Sequence, residues 1–407
     1  MKSPLFVLSM LCTLWLSPAS AEEPLGSDLD GLLIYAREHN PGFAAVRFAA
    51  EAALQRAEPA GALPDPVLRI EPMDITRQGG TRYLLMQSVP WFGKRVLQSE
   101  VAQTRIAQAD GQVAANWTEL SNRIKATYAM YYFTVASERL AQQTLDLLDG
   151  LEQIARTRYA NGLATQQEVI QVQVEQTQLQ GELIALQNER HHSHARLNAL
   201  LSRPVSAPLA EPARLRKLPS PATLDEAALL ERLHARNPQL RIAEADIQSA
   251  EKSRELSYAN RYPDFTLGVA PTLRGSTTEQ WDLMIEFNIP LQQSSRRAQE
   301  GESVSMLAAA NARKQALLDR TQSELSEALS ALESARRTET LIETRLLPQT
   351  ELTYQSALAG YETGKVSFAT LIEAQKQILK SRQQHLQAQT DMQLRLADIE
   401  NLLGEEL

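Results

Sequence analysis

Three histidines stand together in the stretch Arg190-His191-His192-Ser193-His194, and they are the densest group of potential metal ligands in the sequence. His191 and His194 have the i, i+3 spacing that puts two side chains on one face of a helix. Zinc sites usually need three or four converging ligands and supporting hydrogen bonds. We therefore predict a solvated helix end here, with a histidine metal site as the alternative.

The sequence offers little else for catalysis. It contains no Gly-rich phosphate loop after a strand, no His-Glu-x-x-His motif and no plausible catalytic triad spacing. Its formal net charge of −8 gives no basic surface of the kind that binds nucleic acid. These features predict a protein that is not an enzyme, holds no cofactor or metal and binds no nucleic acid.

The first residues are typical of an exported protein. Lys2 precedes an apolar stretch from Leu5 to Leu16, and Ser17 to Ala21 reads Ser-Pro-Ala-Ser-Ala. This pattern predicts a secretory signal peptide over residues 1–21. The single cysteine, Cys12, would be removed with it, so the mature chain needs no disulfide.

The rest of the chain repeats itself. Asn40-Pro41 returns as Asn237-Pro238, and Tyr159-Ala-Asn-Gly162 returns as Tyr361-Glu-Thr-Gly364, in each case about 200 residues later. Shared helical composition does not explain matching Pro and Gly punctuation. We therefore predict two tandem repeats, residues 22–215 and 216–407.

Each repeat has the pattern of a helix, two short strands, a very long helix, a tight turn and a return helix. The long helices are predicted over 94–161 and 296–363, and each would be a rod of about 100 Å at about 1.5 Å per residue. The return helices are predicted over 164–202 and 367–404. The opening helices are predicted as continuous over about 27–61 and 223–262.

Two strands of the second repeat show alternating apolar residues, which predicts one apolar face. The residues on this face are Phe265, Leu267, Val269, Trp281, Leu283, Ile285 and Phe287. Four strands in one chain leave two open edges, and open edges are not tolerated in lipid. Two copies would supply eight strands and three would supply twelve, and composition does not choose between them.

The order of these landmarks resembles that of TolC-family outer membrane efflux proteins. The strand-end signature Val89-Pro90-Trp91-Phe92-Gly93-Lys94-Arg95 and the two Tyr-x-x-Gly turns add to the resemblance. It implies a mainly α fold with a small β part, in which a homotrimer forms an α-helical tunnel and a twelve-stranded barrel with four strands per chain. It also implies a Gram-negative outer membrane location extending into the periplasm, with a periplasmic adaptor, an inner membrane pump of the RND type and outer membrane lipid as partners.

The resemblance gives the two turns a role in docking the adaptor. The residues implied are Asn161, Gly162, Leu163, Thr363, Gly364 and Lys365. A simpler interpretation is that Gly162 and Gly364 only end helices with a positive φ. Both interpretations can hold together.

The resemblance also implies a periplasmic gate formed by Glu168, Tyr361 and Glu373. Thr370 stands where family members often have a further acidic residue, and Val366 stands where some have a basic one, so the closing network of this chain differs. The alternative is that Glu168 and Glu373 lie on solvated helix faces near helix N-termini, where negative charge is favourable.

The function implied is passive conduction in a tripartite efflux system. The Val89 to Arg95 signature and the length resemble the heavy-metal branch of the family most, with multidrug efflux or type I secretion as alternatives. An alternative of another class is a soluble periplasmic coiled-coil scaffold or adaptor, which would explain the rods but not the strands.

Overall fold

The structure, a computed structural model, describes residues 25–73 and 80–407. The signal peptide predicted for residues 1–21 lies outside the described residues. The described chain is mostly helical and has one small antiparallel sheet, so the predicted fold class is confirmed at this level.

The two predicted repeats share the order of two short helices, two strands, a long rod and a return helix, but their 3₁₀ turns lie at different places and only the second rod contains a π-turn. The first contains α1 (Leu29–His39), α2 (Pro41–Ala57), a 3₁₀ turn (Glu58–Gly61), β1 (Val67–Pro72), β2 (Thr81–Val89), α3 (Lys94–Ala160) and α4 (Gln166–Leu200). After a 3₁₀ turn at Pro221–Leu224, the second contains α5 (Glu226–Arg236), α6 (Pro238–Ala259), β3 (Phe265–Arg274), β4 (Thr277–Phe287), α7 (Gln293–Leu341), a π-turn (Ile342–Leu346), α8 (Leu347–Glu362) and α9 (Phe368–Leu403).

The prediction of one continuous opening helix in each repeat is wrong. Asn40 ends α1 and caps α2, and its Oδ1 accepts the backbone N–H of Phe43 at 2.9 Å. The residue before a proline is disfavoured in the α conformation, so Pro41 forces the break. The amide of Asn40 also donates to the carbonyl of Leu200 at 2.8 Å, and Asn237 does the same to Leu402 at 2.7 Å. The Asn-Pro pair therefore ties each opening segment to the end of its return helix.

The long helices match the prediction. α3 has 67 residues and is about 100 Å long at about 1.5 Å per residue. α7, the π-turn and α8 run on from Gln293 to Glu362, and the π-turn comes just before Pro348, which has no N–H to donate. Within residues 25–73 and 80–407, every helix lacks an apolar stretch long enough to cross a membrane.

The four strands pair in the order β1-β2-β3-β4, all antiparallel. The central β2–β3 pair joins a strand of the first repeat to a strand of the second, with Leu85 opposite Val269. β1 and β4 are the outer strands, so the sheet consists of the β1–β2 hairpin lying beside the β3–β4 hairpin.

Apolar side chains collect at separate levels along the rods. One cluster packs α1, α3 and the end of α4, and a related cluster packs α5, α7 and the end of α9. A third cluster lies near the turns, where α3, α4, α8 and α9 meet. The cores thus hold the rods together near their middles and at the ends where the two turns lie.

Candidate functional site

The two predicted turns have the same backbone geometry. Gly162 has a φ of 71° and Gly364 a φ of 73°, so the positive φ expected at both glycines is present. The N–H of Leu163 donates to the carbonyl of Arg158 at 2.8 Å, and that of Lys365 donates to Gly360 at 2.8 Å. Together with the bonds from the Gly162 N–H to Tyr159 at 2.9 Å and from the Gly364 N–H to Tyr361 at 3.0 Å, they form a Schellman motif at each helix end.

The tips of both turns are open to solvent. Asn161, Leu163, Thr363 and Lys365 are not buried, and a Cβ placed on either glycine would meet nothing within 4 Å. Only the backbone conformation restricts the glycine positions inside one chain. The turns therefore present an exposed surface with a fixed backbone shape.

Tyr361 lies under the second turn and is only 3% exposed. Its hydroxyl donates to Glu168 Oε2 at 2.8 Å, and the other Glu168 oxygen accepts the backbone N–H of Thr165 at 3.3 Å. The Arg158 guanidinium lies 4.8 Å from the centre of the Tyr361 ring, and Phe368 packs edge-on against it. Tyr361 thus connects the end of α8 to the start of α4 and the end of α3.

The pKa of Tyr361 is raised to about 12, first by burial and then by its hydrogen bond to Glu168 and the charge of that carboxylate. Arg158 opposes this rise because a nearby cation favours the phenolate. The phenol consequently keeps its proton at neutral pH and remains a hydrogen-bond donor.

The other predicted gate residue, Glu373, is not part of this contact. It is exposed on α9 and makes no hydrogen bond or ion pair within the described part of the chain. Thr370 bonds to Ser367 at the N-terminus of α9, and Val366 packs against Gly360, where an added Cβ would lie 2.5 Å from its Cγ2. The structure therefore brings Tyr361 and Glu168 together and leaves Glu373 as a free carboxylate.

The predicted apolar stripe forms one face of the sheet. Phe265 pairs with Phe287, Leu267 with Ile285, and Val269 with Leu283, so these side chains point the same way. Leu283 is 87% exposed and Trp281, opposite Pro271, is 68% exposed. The face continues onto the first hairpin through Leu68, Ile70, Tyr83 and Leu85.

The opposite face of the sheet is partly polar. Leu84, Met86 and Ala270 pack with Met284 near its middle. One guanidinium nitrogen of Arg82 lies 3.6 Å from a carboxylate oxygen of Glu71, and the other lies 3.4 Å from an oxygen of Asp282. Arg82 on β2 therefore forms one ion pair within its own hairpin and one with β4 of the other hairpin. One sheet thus has an exposed apolar face and an opposite face that carries both apolar and charged side chains.

Residues 229–405 match the family model described as Outer membrane efflux protein. This matched segment makes up most of the second repeat but less than half of the chain, and it is similar to outer membrane efflux proteins. The similarity indicates an outer membrane location. No curated protein sequence matches the chain significantly.

Solved structures of outer membrane channels share the fold. VceC from Vibrio cholerae matches with a TM-score of 0.79 and 18% identity over 93% of this chain and 96% of VceC. CusC matches with a TM-score of 0.81 and 16% identity over 100% and 98%. The open MtrE channel of Neisseria gonorrhoeae matches with a TM-score of 0.76 and 16% identity over 93% and 89%.

In this chain the Val89 to Arg95 signature forms the junction between rods and sheet. Lys94 is only 4% exposed, and its Nζ donates to Asp264 Oδ1 at 2.8 Å and to the Tyr262 carbonyl at 2.9 Å. The N–H of Trp91 donates to the same Asp264 oxygen, and its ring stacks on Tyr262. The signature residues from the first repeat are thus bound to the matching junction of the second.

A buried charge network that the sequence analysis missed joins the two repeats near the middle of the rods. Lys125 on α3 donates to Glu400 on α9 at 2.9 Å, and both side chains are about 95% buried. Arg216 also donates to both Glu400 oxygens, at 2.8 Å and 2.7 Å. The three residues are far apart in sequence, so no spacing pattern reveals the network.

The three adjacent histidines do not converge. His191 and His192 rings are 6.3 Å apart, and His194 instead packs against Tyr131. Burial lowers the pKa of His194, and the charges of His191, Arg203 and Arg190 lower it further. Among the described residues these histidines do not form a group that could hold a metal ion.

Proposed function

We propose that three copies of this chain form the outer membrane channel of a tripartite efflux system. The observation that carries the proposal is the sheet, which has an exposed apolar face and ends in β1 and β4. Lipid does not hydrogen-bond a strand edge, so each outer strand needs a partner from another copy. Pairing β4 of one copy with β1 of the next closes a barrel with the apolar face outward.

Three copies rather than two fit the family resemblance, and three copies supply twelve strands. The residues proposed to face lipid are Phe265, Leu267, Val269, Trp281, Leu283, Ile285 and Phe287. The charged face with Arg82, Glu71 and Asp282 would then line the water-filled interior. A polar interior and an apolar outer band are typical of outer membrane barrels.

The rods would form a helical tunnel across the periplasm. They meet the sheet at the Lys94 junction and reach the turns about 100 Å away, at about 1.5 Å per residue. We propose that the exposed turn residues at 161–163 and 363–365 dock a periplasmic adaptor. Their open tips and fixed backbone support this role.

The contact between Tyr361 and Glu168 would hold the periplasmic end closed. It connects two hairpins of helices, so opening the end by moving them apart would break it. Glu373 would place three carboxylates around the narrow opening of the trimer, and a ring of carboxylates favours cations. The chain would conduct passively, with energy supplied by an inner membrane pump of the RND type.

Heavy-metal cations are the cargo we propose, and the resemblance of the Val89 to Arg95 signature to the heavy-metal branch supports them. A deletion strain should lose metal tolerance more than drug tolerance. Loss of drug tolerance alone would identify a multidrug channel, and loss of a secreted protein would identify type I secretion.

Assembly is tested by fractionating cells and purifying the full chain in detergent. We expect an outer membrane trimer that gives cation-selective currents in planar bilayers. A soluble periplasmic pool without conductance would contradict the channel and support the scaffold alternative.

A further inference from the structure

A carboxylate and imidazole group lies between α7, the π-turn and α9. Glu339, Glu343 and His385 each offer a ligand atom, and all three atoms lie within 4.8 Å of one another. His385 Nε2 is 3.2 Å from Glu339 Oε1. Among the described residues, these three side chains form a group that could hold a metal ion. The group is separate from the turns, the proposed gate and the histidines at 191–194.

The spacing suits a small cation. Zinc bonds of about 2.0–2.2 Å in a tetrahedron place neighbouring ligand atoms about 3.3 Å apart. The Glu339 and His385 atoms already have this separation. Glu343 is exposed, so its side chain is free to move the remaining distance without disturbing a packed core.

The Arg382 cation near this group is already paired with another carboxylate. Arg382, one turn before His385 on α9, pairs with Glu351 at 3.1 Å. The amide of Gln389 borders the imidazole at 3.4 Å from Nε2. Two carboxylates therefore surround one imidazole, and a divalent cation would balance their charge.

Comparison of the repeats separates this group from ordinary packing. The position matching His385 in the first repeat, counted forward from the turn glycines Gly162 and Gly364, is Leu183, which is buried in the apolar cluster near the turns. His385 and Glu339 are also mostly buried, with side chains 21% and 18% exposed. Burying polar groups costs free energy unless they have partners, and the hydrogen bond between His385 and Glu339 offsets part of this cost. At this position the second repeat thus has a potential ligand where the first repeat has an apolar core residue.

The π-turn carries one of the three ligand residues. It begins directly after α7 and contains Glu343, and Leu347 donates to Ile342 in the wider turn. Such turns occur often at functional sites. Here Glu339 and Glu343, at i and i+4, project toward the same side of the rod, where α9 carries His385.

We propose that Glu339, Glu343 and His385 bind one divalent transition-metal cation of the Zn²⁺ class, with water as a further ligand. Imidazole together with carboxylates suits Zn²⁺ and related cations better than Mg²⁺ or Ca²⁺. The bound cation would tie α9 to the second rod between its middle and its turn. This site stands independently of the cargo and of the gate.

The test uses the untagged full-length protein in detergent and Co²⁺ as the spectroscopic probe for Zn²⁺. We expect one Co²⁺ per chain with visible absorption, a rise in thermal stability on adding Zn²⁺, and at least a tenfold loss of affinity in His385→Leu and Glu339→Gln. His385→Leu installs the residue of the first repeat, and circular dichroism checks that it folds. His192→Leu is the matched control and should bind as the wild type does.

Equal binding by wild type and His385→Leu would overturn the proposal. Loss of binding in His192→Leu alone would also overturn it and would move the site to the histidines at 191–194. Glu339→Gln keeps the shape of the side chain, so its result stands even if the leucine variant proves unstable.

Discussion

The hydroxyl of Tyr361 donates a 2.8 Å hydrogen bond to the carboxylate of Glu168, and this bond joins the two repeats beside their turns. Its first-repeat counterpart, Tyr159, is 49% exposed and makes no such bond in the described chain. The repeats therefore differ at the place where the proposed gate must open.

Tyr361→Phe is expected to favour the open channel. A hydrogen bond to a charged group contributes about 1.5–3 kcal/mol, so losing it should raise the ratio of open to closed channels at least tenfold. Single-channel recording in planar bilayers measures this ratio. Tyr159→Phe is the matched control and should behave as the wild type; equal effects of both variants would contradict a latch at Tyr361.

The same residue predicts a dependence on alkaline pH. The pKa of Tyr361 is raised from 10.0 to about 12 in the folded chain. Its contribution to stability is complete below pH 10 and is lost as the pH rises toward 12, because the unfolded phenol releases its proton first. Melting curves of wild type and Tyr361→Phe should therefore differ by a constant amount at pH 6–9 and converge above pH 10. A difference that changes between pH 6 and 9 would contradict this pKa.

Gly364→Phe should abolish transport while the trimer and its membrane insertion remain. The phenylalanine would carry the strain of a positive φ, about 1–2 kcal/mol, and would project into the surface proposed for the adaptor. Efflux assays and trimer analysis on gels provide the measurements. Gly275→Phe has a similar φ of 63° and equal free space, but it lies in the β3–β4 loop and should leave efflux unchanged.

Glu373→Gln should reduce cation selectivity severalfold. Removing one exposed carboxylate per chain would remove three negative charges from the opening of the trimer. Reversal potentials under a salt gradient measure the selectivity. Glu189→Gln removes an equally exposed charge from α4, away from the turn, and should change the potential much less. Equal shifts in both variants would indicate an effect of net charge alone.

Glu400→Gln should destabilise the protein by about 3–5 kcal/mol, because it removes the buried carboxylate that Lys125 and Arg216 share and leaves Lys125 paired only with the exposed Glu406. Thermal unfolding of the purified protein, followed by circular dichroism, is the measurement. Glu333→Gln breaks exposed pairs with Arg336 and Arg337, and such pairs contribute about 0–1 kcal/mol. A smaller loss in Glu400→Gln than in Glu333→Gln would show that the buried network does not stabilise the fold.

The sequence was most informative where backbone chemistry acts locally. Gly162 and Gly364 predicted the turns, and the alternation from Trp281 to Phe287 predicted the strand and its apolar face. The Asn-Pro breaks were missed because the apolar and Ala-rich pattern continues across Asn40, although proline forbids a straight path there.

Contacts between distant residues could not be predicted in the same way. Tyr361 and Glu168 were both selected as gate residues, but 193 positions separate them, and only the folded chain shows that they touch. Glu373 was selected by the same reasoning and lies apart from them. The Lys94 junction and the Glu400 network depend on pairing between repeats, which no local spacing encodes.

The β2–β3 pairing places the two halves of the chain side by side in the same relationship that β4 and the next β1 would have in a closed ring. Six nearly equivalent hairpins would then surround the pore, although only three chains supply them. The three subunits would be related by threefold symmetry, and their six hairpins would be related by approximate sixfold symmetry.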